Sequence, residues 1–234
     1  MTAAMTAGGT ARVAEPAHHL TDELLLDYAA GSLDLASSLM VAAHLTYCPH
    51  CRAKARAMDD IGGNLLDTLE PAVLEEASLD AVLARIDGER ADADGTRPPP
   101  PVANDNPVLP RVVQQYLGGD VDTAPWKYLG GGVETAEIPI PDTSGHRAFL
   151  LRVAAGRAVP QHTHTGNEFV LILDGNYVDE FGYFGTGDIA ICDGSVTHKP
   201  VAGPDRACTC LVVIDAPIRL TGILGAILNP FVKL

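Results

Sequence analysis

Aromatic and basic residues are both scarce in this 234-residue chain, which carries five Phe, six Tyr and one Trp, and 16 Lys and Arg against 30 Asp and Glu. The resulting formal charge of −14 speaks against direct nucleic-acid binding, because phosphate contacts require a basic surface, and suits a basic protein partner instead. No stretch reaches the ~18 apolar residues of a membrane span. The opening MTAAMTAGGTAR has small residues but no apolar core of signal-peptide length, so a cytoplasmic location is expected. Five cysteines, Cys48, Cys51, Cys192, Cys208 and Cys210, form an odd, clustered set in a chain with no export signal. That pattern argues against structural disulfides and for metal binding or redox chemistry.

What is present divides into two compositions. Residues 1–17 read as a disordered tail rich in Ala, Thr and Gly. From Thr21 the pattern turns helical, with Thr21 as N-cap, Asp22 and Glu23 in the first turn and Gly31 as the stop. A second helix starts at Ser32 or Asp34 and runs to about Thr46. Pro49 opens a third, with Cys48 near its cap, until Gly62 and Gly63 weaken it; a fourth spans 78 to about 86. Residues 18–86 are therefore expected to be a helical domain.

Residues 87–110 include four consecutive prolines from Pro98 and read as a semi-rigid linker that lets each half fold alone. Beyond it, residues 111–234 show short β runs at 148–153, 168–173, 188–192 and 208–214 between Gly, Pro and Asp turns, the spacing of a small barrel or sandwich. The apolar segment 223–234, broken by Gly225 and Pro230, is expected to pack against that barrel. Trp126 and Tyr116 are expected to pack early strands or meet the helical domain.

Two clusters carry chemistry. In the helical half, His44-x3-Cys48-x2-Cys51 brings an imidazole and two thiols to one side of a helical hairpin. A closed structural zinc site wants four ligands, and His18, His19 or His50 could supply the last. A small helical unit with few aromatics gains from a metal the folding free energy that packing alone hardly supplies. The Cys-Pro-His-Cys tetrapeptide also resembles the motif of DsbA-type disulfide oxidoreductases, but those motifs follow a β-strand, and here the preceding segment is helical.

In the β half, residues 156–175 read GRAVPQHTHTGNEFVLILDG. On extended backbone His162 and His164 share a face, and a turn at Thr165, Gly166 and Asn167 could bring Glu168 beside both. Two neutral imidazoles and a carboxylate suit a divalent metal with open positions. Cys208 and Cys210 also share one strand face; if it is the barrel interior they lie near this metal and could be oxidised. Small buried core residues are the competing role for that pair and for Cys192.

These motifs resemble a known family. Gly156-x5-His162-x-His164-x3-Glu168-x6-Gly175 matches the first cupin motif position for position. Against the second motif, Gly187 and His198 stand at the right spacing, whereas Asp193, Ser195 and Ala202 replace its Pro, Gly and Asn. The resemblance makes His198 the fourth ligand of a cupin metal site holding zinc or another divalent ion. The stretch TDELLLDYAAGSLDLASSLMVAAHLTYCPHCRAKARAMDDIGGNLLD is similar to the N-terminal domain of ChrR-type anti-sigma factors, which is likewise followed by a cupin. By that similarity His19 takes the fourth zinc position beside His44, Cys48 and Cys51.

The resemblance implies a two-domain protein, a small zinc-binding helical bundle followed by a cupin β-barrel. It further implies a non-enzymatic regulator that inhibits an extracytoplasmic-function sigma factor in a heterodimer. The cupin would sense reactive oxygen or electrophilic stress and trigger release. Candidate partner contacts are Leu65, Leu66, Leu69, Leu79, Val82, Leu83 and Ile86, with core packing as the competing role. A metal-dependent, dioxygenase-like cupin enzyme with a helical docking module is the alternative class.

Overall fold

The computed structural model describes residues 15–92, 107–141 and 144–221. Most of the expected tail, the proline tract and the 223–234 segment lie outside these residues. Four helices come first: α1 (Asp22–Ala29), α2 (Leu35–Tyr47), α3 (Pro49–Asp67) and α4 (Ser78–Asp92). Each early boundary has a local cause. The Thr21 hydroxyl accepts a hydrogen bond from the Leu24 amide at 3.3 Å, and the Asp34 carboxylate accepts from Ser37 at 2.9 Å. Gly31 takes φ +68°, the left-handed conformation that ends α1. Cys48 caps α3 with its sulfur, which accepts from the Cys51 amide at 3.3 Å, and Pro49 fills the first turn.

Two expectations of helix length change. α3 continues through Gly62 and Gly63 to Asp67, because a glycine costs a helix only about 1 kcal/mol and the flanking residues are good helix formers. α4 extends to Asp92, into the segment read as linker. A fifth helix, α5 (Arg111–Leu117), was not legible in the sequence; it ends at Gly118 with φ +80°.

The β half contains β1 (Lys127–Gly130), β2 (Val133–Glu137), β3 (Arg147–Val153), β4 (His162–Thr163), β5 (Glu168–Asp174) and β6 (Asn176–Asp179). It continues with β7 (Gly182–Gly185), β8 (Ile189–Cys192), β9 (Thr197–His198), β10 (Val201–Ala202), β11 (Cys208–Ile214) and β12 (Arg219–Leu220). They form an antiparallel six-stranded sheet in the order β1-β2-β3-β11-β5-β8 and two three-stranded sheets, β10-β6-β7 and β12-β4-β9. Tyr116 packs at the edge of the core beside the helices; Trp126 lies under the Arg152 guanidinium at 4.1 Å and donates its indole N–H to Val121.

β11 shows how the halves meet. Cys208, Cys210, Val212 and Ile214 point into the barrel with Val170 and Ile172 of β5, whereas Leu211 and Val213 point to the other face with Leu171 and Leu173. That outer face is covered by α2, whose Ala36, Leu39, Met40, Val41 and Ala43 are buried in the same cluster, so every residue of β11 is buried. The helical unit is thus joined to the barrel by a continuous core rather than held apart by the linker. Among the described residues no helix is long and apolar enough to cross a membrane.

A shared core predicts one cooperative transition. Leu211→Ala, at a fully buried position beneath α2, should cost about 2–5 kcal/mol. Urea unfolding should then show helical circular dichroism and Trp126 fluorescence shifting together, not in two separate steps.

Candidate metal centres

The barrel cluster is built from strand alternation and one pairing. Glu168 opens β5 on the inward face that Val170 and Ile172 continue, and the bend after His164 returns the chain so that His164 Nε2 lies 3.0 Å from Glu168 Oε2. β4 pairs with β9 so that His162 faces His198, with their Nε2 atoms 3.0 Å apart. Glu168 Oε2 is 3.9 Å from His162 Nε2 and 3.8 Å from His198 Nε2. All four side chains are buried. The departures from the second cupin motif leave this geometry intact, since Asp193 accepts from the Ser195 amide at 2.8 Å and its hydroxyl at 2.6 Å. This side-chain-supported turn stands where the motif has Pro and Gly.

The far side of each ring decides its tautomer. His162 Nδ1 donates to the Pro160 carbonyl at 2.9 Å, and His198 Nδ1 donates to the Asp179 carboxylate at 2.9 Å. Both Nε2 atoms are then left as bare lone pairs aimed at one another and at a carboxylate, an arrangement that a cation relieves. Burial alone would raise the Glu168 pKa, but the adjoining imidazoles of His162 and His164 outweigh it and hold it at about 2. Burial lowers the His198 pKa, the Asp179 carboxylate only partly opposing it. A neutral imidazole beside an ionised carboxylate is the donor state a divalent metal needs. Asp179, which sequence reasoning missed, carries no motif; its role follows only from the β6–β9 proximity.

The second cluster lies between the helices and the chain entering α1. His19 Nδ1 is 3.2 Å from Cys48 Sγ, and His44 Nε2 is 3.3 Å from Cys51 Sγ. One ligand atom from each of the four lies within 4.8 Å of the others. A tetrahedral zinc with bonds of about 2.0–2.3 Å spaces its ligand atoms at about 3.3–3.8 Å, close to the two contacts at 3.2 and 3.3 Å. Of the three candidate histidines, His19 is the one brought to the thiols. His18 instead stacks on Phe184 with ring centroids 4.2 Å apart, and His50 faces outward beside His19. Burial lowers His44 to about 4 and raises Cys51 to about 11, so without a cation these two ligands are neutral. The helix α2 before Cys48 removes the strand that a DsbA-type site requires.

Beside the barrel cluster is a cavity of about 200 Å³ lined mainly by apolar side chains, among them Phe149, Leu151, Val153 and Val212. His162, Glu168, His198, Tyr177, Cys208 and Cys210 also reach it. The Cys208 and Cys210 sulfurs are 3.6 Å apart, and the buried Tyr177 hydroxyl has no hydrogen-bond partner among the described residues. The neighbouring thiol and burial push Cys210 well above the usual thiol range, so Cys210 is held protonated. The candidate sigma contacts are exposed: Leu65 and Leu66 near the end of α3, Leu69 just beyond it, and Leu79, Val82, Leu83 and Ile86 on α4.

Two family models match the chain. The ChrR cupin-like domain covers residues 114–216, and a zinc-finger family covers residues 20–52. The chain is 40% identical over 218 residues to the anti-sigma-E factor ChrR of Cereibacter sphaeroides, spanning 93% of this chain and 98% of that protein. It also resembles the crystal structure of Rhodobacter sphaeroides SigE in complex with the anti-sigma ChrR, with a TM-score of 0.72 and 39% identity. That match covers 85% of this chain and 98% of the other. An RmlC-like cupin protein from Ralstonia eutropha matches at 18% identity with a TM-score of 0.40, over 45% of this chain and 72% of its own.

The electrostatics make an acid-titration prediction for the metal-free chain. His44 binds its proton at about 4 when folded against 6.5 when free, so its stabilising share is present above pH 6.5 and is lost as pH falls towards 4. Thermal midpoints of metal-stripped protein should therefore drop across that window, and His44→Gln should flatten this part of the profile.

Proposed function

The chain belongs to the ChrR-type anti-sigma factors, and on that premise we propose that it binds and inhibits an extracytoplasmic-function sigma factor through its helical half. In the same proposal its cupin governs release. Membership of this family makes it a regulatory protein and not a dioxygenase-like enzyme. The observation that carries the partner reading is the set of exposed apolar side chains on α3, just after it and on α4. Leu65, Leu66 and Leu69 are 65, 68 and 64% exposed, and Leu79, Val82, Leu83 and Ile86 are 68, 50, 49 and 43% exposed. Seven large apolar side chains left in water mark a surface that a partner covers. The acidic charge of the chain suits the basic surface of a polymerase-binding factor.

The two metal centres divide the work. Zinc on His19, His44, Cys48 and Cys51 would fix the end of α2 to the start of α3 and so set the direction of the α3 strip. A divalent metal on His162, His164, Glu168 and His198 would supply open coordination positions next to the cavity. A small oxidant or electrophile acting there would loosen Glu168 and the paired strands β4 and β9, and the altered barrel would let the sigma factor go. Cys208 and Cys210 face the same space, and Cys210 is held as a protonated thiol, a poor nucleophile, so the metal cluster responds before Cys210.

Three outcomes follow. Co-expression with the sigma factor should give a co-eluting complex, and Leu66→Asp combined with Leu83→Asp should weaken it at least tenfold, read by size-exclusion and titration; undiminished binding would reject the α3–α4 surface. Cys48→Ser with Cys51→Ser should abolish inhibition in a reporter assay. His162→Ala with Glu168→Ala should leave basal inhibition intact and blunt induction by organic hydroperoxide, and a normal induction curve would remove the cupin from the sensing role.

A further inference from the structure

Resting on the zinc reading of the helical cluster, we infer that the barrel turn between β7 and β8 supplies the outer support of that zinc site, making Asp188 its positioning residue. Asp188 is a carboxylate only 5% exposed. Its Oδ1 accepts hydrogen bonds from the Ala17 amide at 2.6 Å and the His18 amide at 2.8 Å, and its Oδ2 accepts from Gly185 at 2.8 Å. The next residue is His19, which sits on irregular chain with no helix or strand of its own to fix it. A buried carboxylate satisfied by the other half's backbone is a costly group to leave unpaired, so the bond holds the chain entering α1 firmly.

The same turn packs closely on the chain before α1 and on the end of α2, and it does so only because Gly187 is glycine. Its φ is +92°, and a Cβ would stand 2.9 Å from Pro16 Cγ and 3.0 Å from Tyr47 Cβ. His18, stacked on Phe184, closes the contact. The thiols are fixed by the first turn of α3, whereas the segment that carries His19 takes its outer support from the barrel. Metal-ligating histidines depend on such partners, whose loss typically costs 10–100-fold in affinity.

The turn also gives the barrel a physical route to the inhibitor. β8 leaves it at Ile189 and ends at Cys192, which pairs directly with Glu168 of the barrel cluster. A displacement of Glu168 is therefore passed along one short, paired strand to Asp188, which holds the chain beside His19.

The test reads alkylation of each cysteine in the zinc-loaded full-length chain by N-ethylmaleimide in the presence of EDTA, resolved by peptide mass spectrometry. Asp188→Ala should expose Cys48 and Cys51 about 10–100-fold faster, while Cys192, Cys208 and Cys210 keep their rates and report an intact barrel. Asp188→Asn, which retains an acceptor oxygen for the two amides, should fall between. Ala17→Pro deletes one donor without touching the barrel and should act in the same direction, so it decides the matter if Asp188→Ala unfolds the barrel and all five cysteines react. Unchanged Cys48 and Cys51 rates in both Asp188→Ala and Ala17→Pro would overturn the inference. If zinc gives the wild-type thiols no protection over stripped protein, the zinc reading itself falls, and this inference with it.

Discussion

A strand buried on both faces has no surface to spare, and β11 with its neighbour β5 is buried in this way. The inward residues of the pair include Glu168 and the cavity wall; the outward residues Leu171, Leu211 and Val213 are the bed on which α2 lies. Side-chain alternation thus fixes the barrel cluster and the seat of the helical unit with the same backbone. A shift of that backbone by even a fraction of an ångström is felt on both sides, because close-packed interiors transmit strain rather than absorb it.

On this bed the two clusters face the same electrostatic problem. Imidazoles, thiols and a carboxylate, all buried except His19, are brought within 4.8 Å of one another in each cluster. The fold answers with outer partners: Pro160 and Asp179 on the barrel side, and Asp188, through the Ala17 and His18 amides, on the helical side. These partners orient the rings and leave the lone pairs pointing inward, the donor arrangement in which a divalent cation is bound. The exposed leucines of α3 and α4 are the opposite case, apolar groups left in water, and they make sense when a partner covers them.

Much of this was legible in the chain. Caps at Thr21, Asp34 and Cys48, the four earliest helices and the strand cores at 148–153, 168–173 and 208–214 follow from local chemistry that no tertiary contact overrides. Both four-residue clusters follow from spacing together with family resemblance. What was not legible depends on contacts between distant segments. α5 is a short helix whose buried Val113 and Gln114 owe their setting to the helical core, and the two-residue strands β4, β9, β10 and β12 exist only as pairs. Asp179 and Asp188 look like ordinary turn acids until the structure brings His198 and the Ala17–His18 amides to them. The proline tract suggested separable halves because composition reports a boundary but not which faces meet across it.

The central proposal is that the state of the barrel reaches α3 and α4, the proposed sigma contacts, through the turn at Gly187 and Asp188. Hydrogen exchange on the purified complex with the sigma factor, before and after exposure to organic hydroperoxide, tests it most directly. The account predicts that amides at 17–19 and 185–188 lose protection together with those of α3 and α4. Loss of protection in α3 and α4 while 17–19 and 185–188 stay protected would contradict it.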